Sequence, residues 1–316
     1  MKLLLPNTVD LDLDPPSDVV AIGYAVDRPV PDEHTDAEAL VVWGNPAHQL
    51  RDAAQRLGRL RWVQTLAAGP DAVLAAQFGP GVVITSGQSL HDGPVAEHAL
   101  ALILAAARRL NLTIRAQIGH RWAGELGGLQ PVAPVGNFRS LRGARVTIWG
   151  FGGIAATLAP HLAALGATVA GVARHPGERG GFPVVVDADL PKVLPTTDVL
   201  VMILPATAET VHALGAEQLA LLPPHAWLVN VGRGATVDEQ AVLDAVRAGR
   251  LAGAALDVFD TEPLPADSGL WDEPNVIITP HAAGGRPVGA AVLITENLAA
   301  LRAGTTMRNV VRLESP

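Results

Sequence analysis

The chain has 316 residues, which is enough for two domains of ordinary size and too many for one small binding module. Its 23 Lys and Arg residues against 31 Asp and Glu residues leave a formal net charge of −8, and an acidic surface disfavours nonspecific binding to nucleic acid or anionic membranes. The absence of Cys excludes disulfides, a thiolate nucleophile and cysteine-ligated metal sites.

The N-terminal residues predict neither a secretion signal nor a membrane anchor. Three leucines precede Pro6, whereas a signal peptide needs an apolar core of about 7–15 residues. The longest uncharged apolar run, residues 99–107, is shorter than the roughly 18–20 residues needed to cross a bilayer. We therefore expect a cytoplasmic protein without a membrane partner.

The first 92 residues show a weak alternation of strand and helix patterns. Helix patterns cover residues 48–57 and 70–77. Aliphatic and aromatic runs predict strands at residues 19–25, 40–43, 62–66 and 82–85. This part of the sequence therefore predicts a small α/β unit.

Residues 94–118 are rich in Ala and Leu and contain few helix breakers. Glu97 lies early in this segment, whereas Arg108, Arg109 and Arg115 lie late, which is the order of charges that complements a helix dipole. We predict one long helix that connects two α/β units.

From residue 143 onward, short β-branched runs alternate with helical patterns. The runs are uniformly apolar, which is typical of strands buried on both faces of a parallel sheet, so we predict a doubly wound α/β domain. They lie at residues 145–149, 168–172, 184–186, 199–204, 227–231, 253–258 and 276–279. A helix at residues 290–303 then ends at Gly304, and residues 309–313 are expected to add a last strand.

A glycine-rich turn follows the strand at 145–149 and opens a helix. Gly150-Phe151-Gly152-Gly153-Ile154-Ala155 matches the pattern G-x-G-x-x-[G/A] of dinucleotide-binding turns. Gly150 would allow the tight turn, and Gly152 would leave room for a pyrophosphate at the helix N-terminus. The alternative is a glycine-rich strand-to-helix turn without a ligand, but the flanking strand and helix favour a nucleotide site.

The end of the next strand bears on the choice of cofactor. An Asp or Glu about 20 residues after the turn usually binds the ribose of NAD, whereas an Arg accommodates the 2′-phosphate of NADP. Ala173 stands at the acidic position here and is followed by Arg174 and His175. This favours NADP over NAD, unless Arg174 is an ordinary solvated charge and the site accepts both.

Three further polar segments each follow a predicted strand: 230–234, 257–263 and 279–281. Ligands of open parallel sheets bind outside the carboxyl ends of the strands, so Arg233, Glu262 and His281 would converge at one edge. Each of the three has a plain structural alternative when taken singly. Their joint occurrence favours a catalytic site.

The order and approximate spacing of these motifs resemble the D-isomer-specific 2-hydroxyacid dehydrogenase family. Its signatures are a GxGxxG turn, an N-x-GRG loop, a D-x-F-x-x-EP loop and a TPH loop. Residues 64–71 also resemble its substrate-carboxylate loop, and the similarity covers nearly the whole chain. This chain departs at Ala155, where Gly is usual, at Ala173, where Asp is usual, and at Pro70, where an aliphatic residue is common. These departures bear on helix packing, cofactor choice and substrate shape.

The resemblance implies reduction of a small 2-keto acid, such as glyoxylate or hydroxypyruvate, to the D-2-hydroxy acid. His281 would donate a proton to the keto oxygen, and Glu262 would orient its ring and favour the charged form. Arg233 would bind the substrate carboxylate and keto oxygen with its planar fork of donors. Backbone N–H groups of Ala68 and Gly69 would bind the other end of the carboxylate.

The resemblance also implies the cofactor contacts. Asp257 would accept a hydrogen bond from the nicotinamide carboxamide. The other expected contacts are Gly150, Gly152, Gly153, Ile154, Arg174, His175, Leu204, Pro205, Thr210, Val231, Gly232, Arg233 and His281. No metal is required by this chemistry. We interpret the remaining histidines, among them His98, His120 and His161, as structural or surface residues.

In the family, a Rossmann cofactor domain is inserted into a smaller flavodoxin-like substrate domain. This implies residues 93–284 for the cofactor domain and residues 1–92 and 285–316 for the substrate domain, with the reaction in the cleft between them. It also implies a homodimer formed through about residues 94–126, including Trp122.

Two alternative functions stay open. A D-3-phosphoglycerate dehydrogenase-like enzyme would share the cofactor domain, although the substrate region shows no obvious Arg or Lys cluster for a phosphate. A nucleotide sensor, like the transcriptional corepressors that resemble these dehydrogenases, would bind the cofactor without turnover. Arg233, Glu262 and His281 together favour an enzyme.

Overall fold

A computed structural model describes residues 1–129 and 138–311 of the chain. These residues form two compact units. Unit 1 contains Met1–His91 and the described residues from Arg286 onward, and unit 2 contains the described residues of Asp92–Gly285. Among the described residues, no helix combines the length and apolar character that a membrane span requires.

Short strands and helices alternate through most of the described chain. The strands are β1 (Lys2–Pro6), β2 (Val20–Tyr24), β3 (Ala39–Val42), β4 (Trp62–Thr65), β5 (Val83–Thr85), β6 (Arg145–Trp149), β7 (Thr168–Val172), β8 (Gly177–Arg179), β9 (Phe182–Val185), β10 (Val199–Met202), β11 (Trp227–Asn230), β12 (Gly253–Leu256) and β13 (Val276–Ile278). The helices are α1 (Ala47–Arg56), α2 (Asp71–Ala75), α3 (Asp92–Ala107), α4 (Leu110–Ile118), α5 (Gly153–Ala164), α6 (Leu190–Val193), α7 (Ala216–Leu219), α8 (Glu239–Arg247) and α9 (Ala290–Ala303).

Unit 1 is built on a parallel sheet of five strands in the order β2-β1-β3-β4-β5, which is the flavodoxin-like order. Successive side chains of a strand point to opposite faces, so Leu3 packs with Leu298 of α9 and Leu4 packs with Leu50 of α1. All four leucines are almost completely buried. Both faces are therefore covered, which explains why the inner strands β1 and β3 are mainly apolar.

Unit 2 contains an eight-stranded sheet in the order β13-β12-β11-β10-β6-β7-β9-β8, parallel except for the β8–β9 pair. Counted along the chain from β6 and without the short β8, this is the Rossmann order 3-2-1-4-5-6 with one more strand after the sixth. Ile148 of β6 packs in the core on one face with Ile103 of α3 and Leu158 of α5, and Trp149 packs on the other face with Val242 of α8. The predicted doubly wound α/β fold is confirmed. It places the carboxyl ends of all the parallel strands of this sheet at the same edge.

The prediction of one continuous helix over residues 94–118 is wrong. The helix breaks at Arg109, whose φ of 55° lies in the left-handed region, so α3 and α4 are separate. After the break, Asn111 donates to the carbonyl of Pro274, and Arg115 donates to the carbonyls of Trp271 and Glu273. These contacts hold α4 against residues 271–274, a docking that helix propensity does not encode.

Two short strands escaped the sequence analysis, and one predicted strand is only partly present. The inner strand β1 and the hairpin strand β8 were not predicted. Instead of the expected strand at residues 309–313, Val310 makes a single antiparallel bridge with Thr85. Residues from 312 onward lie outside the described part of the chain.

Candidate active site

The glycine turn lies where the strand order of unit 2 reverses, between β6 and β10. Open α/β sheets bind ligands at such a switch point. Gly150 has a φ of +101°, and its N–H donates to the carbonyl of Val172 at 2.9 Å. A Cβ at this position would lie 2.5 Å from the carbonyl oxygen of Ile203, which follows β10. Glycine therefore allows the ends of β6 and β10 to come together.

The N-terminus of α5 has the shape that a pyrophosphate needs. Gly152 is its N-cap, and a Cβ there would meet no atom within 4 Å, so the space beside the backbone is open. Ala155 is completely buried, as expected where the helix lies close to the sheet, and Ile154 is half-buried. A Cβ on Gly153, by contrast, would lie 2.1 Å from Oδ2 of Asp92. The turn thus fits a dinucleotide, because backbone N–H groups at a helix N-terminus attract phosphate.

Arg174 and His175 follow β7 and are exposed, as a contact with a ribose phosphate requires. Nη2 of Arg174 lies 3.6 Å from Oε2 of Glu209, and both side chains are mostly solvated. The sequence analysis missed Arg179, which donates from Nη1 to the carbonyl of Phe151 and from Nη2 to the carbonyl of His175 at 3.1 Å. This guanidinium joins the glycine turn to the loop after β7. Its only signal in the sequence is a second Arg five residues after Arg174.

The loop after β10 carries Leu204, Pro205 and Thr210. The hydroxyl of Thr210 donates to the carbonyl of Pro205 at 2.6 Å and accepts from the N–H of Thr207 at 2.8 Å, which closes the loop on itself. Leu204 packs against the core of unit 2. Its backbone oxygen would lie 2.8 Å from a Cβ on Gly232, so glycine is needed there for the loops after β10 and β11 to touch.

The loop after β11 holds Arg233 through its backbone. The carbonyl of Arg233 accepts hydrogen bonds from Nδ2 of Asn230 at 3.2 Å and from the hydroxyl of Thr236 at 2.7 Å. Nη1 of Arg233 donates to the carbonyl of Gly232 at 2.8 Å. Val231 is buried beneath the loop. Arg233 is therefore fixed at its Cα and half-buried along its side chain.

Glu262 and His281 form a hydrogen-bonded pair. Nδ1 of His281 lies 2.7 Å from Oε2 of Glu262, while Oε1 of Glu262 accepts from the N–H of Phe259 at 3.0 Å. The imidazole side chain is half exposed, at 50%. Since the carboxylate occupies Nδ1, Nε2 is the ring nitrogen that is not engaged by Glu262.

The buried carboxylate of Asp257 lies behind this pair, and His98 lies beside it. Asp257 is 1% exposed and accepts from the hydroxyl of Thr279 at 2.5 Å. Nε2 of His98 lies 3.0 Å from that hydroxyl oxygen and 3.2 Å from Oδ1 of Asp257. Our interpretation of His98 as an ordinary structural or surface residue missed this contact. Its helix gave no signal, because the partners are 159 and 181 residues away along the chain.

Unit 1 holds the loop that the sequence analysis assigned to the substrate carboxylate. Ala68 is exposed and Gly69 is half-buried in the segment after β4. Nε2 of the buried His91 lies 2.7 Å from the carbonyl oxygen of Leu66, and a Cβ on Gly87 would lie 2.1 Å from the same oxygen. The base of the loop is thus fixed.

Arg233, Glu262 and His281 follow β11, β12 and β13, which are neighbours in the sheet. The glycine turn follows β6, one strand beyond β10. A guanidinium, an imidazole paired with a carboxylate and an anion-binding helix N-terminus therefore share one edge of unit 2. Among the described residues, no group of three or more His, Asp or Glu side chains is placed to hold a metal ion.

Comparisons with known proteins agree with this arrangement. The sequence model of the family described as "D-isomer specific 2-hydroxyacid dehydrogenase, NAD binding domain" matches residues 100–283. The glyoxylate/hydroxypyruvate reductase B of Pectobacterium atrosepticum is 34% identical over 267 residues, which are 83% of this chain and 82% of that protein.

Solved structures show the same likeness. A D-isomer-specific 2-hydroxyacid dehydrogenase from Xanthobacter autotrophicus, in complex with NADPH and MES, is 34% identical with a TM-score of 0.75, over 88% of this chain and 84% of that one. An NADPH-dependent glyoxylate/hydroxypyruvate reductase from Sinorhizobium meliloti, in complex with NADP and sulfate, is 26% identical with a TM-score of 0.80, over 98% and 97% of the two chains.

Proposed function

Because the chain belongs to the D-isomer-specific 2-hydroxyacid dehydrogenase family, we propose that it reduces a small 2-keto acid, such as glyoxylate or hydroxypyruvate, to the D-2-hydroxy acid with a nicotinamide dinucleotide. The observation that carries this proposal is the 2.7 Å pair of His281 and Glu262, at the same sheet edge as the glycine turn. A proton donor and an anion-binding turn at one edge are what the reduction of a carbonyl requires.

His281 is the proton donor in this proposal. When bound, the cofactor supplies a hydride to the carbonyl carbon, and negative charge grows on the carbonyl oxygen. His281 gives that oxygen the proton of Nε2, because Nδ1 is occupied by Glu262. The carboxylate fixes the orientation of the ring, and the imidazolium is the form of the ring that donates.

Arg233 and the loop of unit 1 bind the substrate anion in this proposal. A guanidinium presents five N–H donors, of which one binds the carbonyl of Gly232. Its planar fork suits the carboxylate and the keto oxygen of a 2-keto acid together. The N–H groups of Ala68 and Gly69 bind the other end of the carboxylate.

Unit 2 is the cofactor-binding unit in this proposal. Gly150 and Gly152 leave room for the pyrophosphate, and Gly153 and Ile154 form the start of the helix that faces it. The nicotinamide lies beside the loops after β10 and β11, which carry Leu204, Pro205, Thr210, Val231 and Gly232. The carboxylate of Asp257 is 1% exposed and already accepts from Thr279, Ala282 and Ala283, so the expected hydrogen bond from the nicotinamide carboxamide is not part of this proposal. Unit 1 is the substrate-binding unit.

We further propose that NADP is preferred over NAD. Residue 173 is Ala and lacks the carboxylate that would bind the ribose of NAD. The next two residues, Arg174 and His175, offer hydrogen-bond donors instead. Arg179, bonded to both neighbouring loops, adds a second guanidinium to this region. The guanidinium groups of Arg174 and Arg179, together with the lack of a carboxylate at residue 173, favour binding of the dianionic 2′-phosphate of NADP.

A homodimer is proposed through the region of α4 and the residues that follow it. Four large apolar side chains are exposed there, namely Leu110, Ile114, Ile118 and Trp122. An apolar patch of this kind marks a contact surface more often than a solvated one. Sedimentation of the purified protein tests this, and Trp122→Glu should then shift the population toward the monomer.

A spectrophotometric screen tests the proposed function. Glyoxylate, hydroxypyruvate, pyruvate and 3-phosphohydroxypyruvate are each assayed with NADPH and with NADH, and the reverse reaction is assayed with D- and L-glycerate. Oxidation of NADPH by glyoxylate or hydroxypyruvate and turnover of the D isomer alone support the proposal. Preference for 3-phosphohydroxypyruvate would indicate the phosphoglycerate alternative, and tight NADPH binding without turnover would indicate a sensor.

A further inference from the structure

The carboxylate of Asp257 binds the turn that carries His281 at several points. Oδ1 accepts from the N–H of Ala282 at 2.9 Å as well as from Thr279, and Oδ2 accepts from the N–H of Ala283 at 3.1 Å. The N–H of His281 itself donates to the backbone oxygen of Asp257 at 2.8 Å. One buried residue of the loop after β12 thus determines the path of the turn after β13.

This turn needs such support because of its backbone conformation. His281 has a φ of +51°, in the left-handed region that side chains with a Cβ rarely adopt. Its ring is half exposed, and its Nδ1 is hydrogen-bonded to Glu262. The direction of Nε2 therefore depends on the turn, and the turn depends on the Asp257 carboxylate.

His98 is the basic partner of that carboxylate. It lies in the first half of α3, and its Nε2 contacts both Oδ1 of Asp257 and the hydroxyl of Thr279. The Thr279 hydroxyl donates its proton to Asp257, so the Thr279 oxygen accepts a hydrogen bond from Nε2 of His98. Nε2 of His98 therefore carries a proton. Within residues 1–129 and 138–311, no other basic side chain forms an ion pair with Asp257. A buried carboxylate that loses a donor of this kind is strongly destabilised.

We propose that His98 is a positioning residue for the proton transfer. Through Asp257 and Thr279, it holds the turn in the conformation that directs Nε2 of His281 to the carbonyl oxygen. The proposal rests on the proposed role of His281 as proton donor. Replacing His98 by an apolar residue loosens the turn and slows the protonation step, while the glycine turn that binds the dinucleotide stays in place.

The test compares His98→Leu, which removes the donor, with His98→Gln, whose side-chain amide can donate to the same oxygens. His161→Leu, at an exposed histidine of α5, is the control. The measurements are kcat with glyoxylate and NADPH, the dissociation constant of NADPH, and the ratio of kcat in H2O to kcat in D2O. Thr279→Val and Thr279→Ser form a second pair that probes the same link if His98→Leu does not fold.

We expect His98→Leu to lower kcat about 10-fold or more, since misplacement of a reacting group costs this much. The NADPH dissociation constant should change less than about 3-fold, and the solvent isotope effect should rise because proton transfer becomes slower. His98→Gln and Thr279→Ser should keep most of the activity, Thr279→Val should behave like His98→Leu, and His161→Leu should match the unmodified protein.

Two results would overturn the inference. Unchanged kcat and isotope effect in both His98→Leu and Thr279→Val would show that the turn does not depend on this link. Parallel losses of kcat, NADPH binding and melting temperature that His98→Gln does not restore would leave His98 a structural role only. His281→Ala separates this from the proposed function: if that variant keeps turnover, His281 is not the donor, whereas an inactive His281→Ala beside an unaffected His98→Leu refutes the present inference alone.

Discussion

Gly234 lies so close to Phe259 that a Cβ on the glycine would be 1.8 Å from the phenylalanine carbonyl carbon. Gly234 directly follows Arg233, and the N–H of Phe259 donates to Glu262. The contact therefore joins the loop of the guanidinium to the loop of the carboxylate. The relative position of the guanidinium and the carboxylate thus depends on the lack of a side chain at Gly234.

Gly234→Ala should accordingly impair both stability and catalysis. The added methyl group must displace the backbone of Phe259, and overpacking of this kind costs about 1–3 kcal/mol of unfolding free energy. We expect a lower melting temperature and a fall in kcat/KM with glyoxylate. Gly58→Ala is the matched control, since its Cβ would meet no atom within 4 Å. Equal melting temperatures of the two variants would contradict the assignment.

Arg233→Ala and His281→Ala should each lower kcat/KM for glyoxylate at least about 10²-fold. This is the magnitude typical of removing an electrostatic stabiliser or a general acid. Arg250→Ala and His161→Ala, at exposed positions of unit 2, serve as controls and should keep normal rates. Retained turnover in either active-site variant would refute the role assigned to that residue.

The reductive rate should fall as the pH rises, because each turnover consumes a proton that the donor must hold at its start. Glu262→Gln keeps the shape of the partner but removes the charged acceptor that orients the donor ring, so we expect it to lower kcat at least about 10-fold at neutral pH. The pH profile of kcat/KM measured for both proteins checks this. A flat profile of the unmodified protein would exclude His281 as the donor.

Arg174→Ala and Arg179→Ala test the proposed preference for NADP. A charge-assisted hydrogen bond contributes about 1.5–3 kcal/mol, so the KM for NADPH should rise about 10-fold or more. The KM for NADH should change little, since that cofactor lacks the 2′-phosphate. Arg179→Ala should also weaken NADH binding somewhat, because it frees the carbonyls of Phe151 and His175. Equal effects of Arg174→Ala on both cofactors would argue against a phosphate contact.

Glu239→Gln should stabilise the protein at neutral pH. Burial raises the pKa of Glu239 above its usual value, and the nearby carboxylates of Asp260 and Glu262 add to this, against the opposing hydrogen bond from the N–H of Asp260. An acid whose pKa is raised by folding binds its proton more tightly in the folded state. Stability is therefore lost as the pH rises from the unfolded pKa through the folded one.

The glutamine removes this penalty and still accepts from the Asp260 N–H. We expect a melting temperature about 1–2 °C higher near pH 7.5, and a difference that shrinks toward zero near pH 4. Thermal unfolding at several pH values measures it. A difference that grows toward acidic pH would contradict the direction of the shift.

Much of the fold can be predicted from short stretches of the sequence. A strand covered on both faces is mainly apolar, so β6, β7, β10 and β11 are recognisable from composition. The glycine turn is recognisable for a similar reason, since only glycine permits the φ of Gly150 and its approach to Ile203. These features depend on neighbours that are close along the chain or on a general property of buried strands.

Other features depended on contacts between distant segments, and the sequence did not reveal them. The break at Arg109 follows from the docking of α4 on residues 271–274. Arg179 is held by hydrogen bonds to two separate loops. Local propensity carries no information about partners so far away, so the sequence predicted a continuous helix and gave no role to Arg179.

The sequence by itself determined which chemical groups this protein has at its strand ends: a guanidinium, a carboxylate, an imidazole and a glycine turn. The tertiary structure decided how they are held, through the 2.7 Å pair of Glu262 and His281 and the contact of His98 with Asp257. The physical reason is that residue types follow from local covalent order, whereas hydrogen bonds between loops arise only when the sheet brings distant strand ends together.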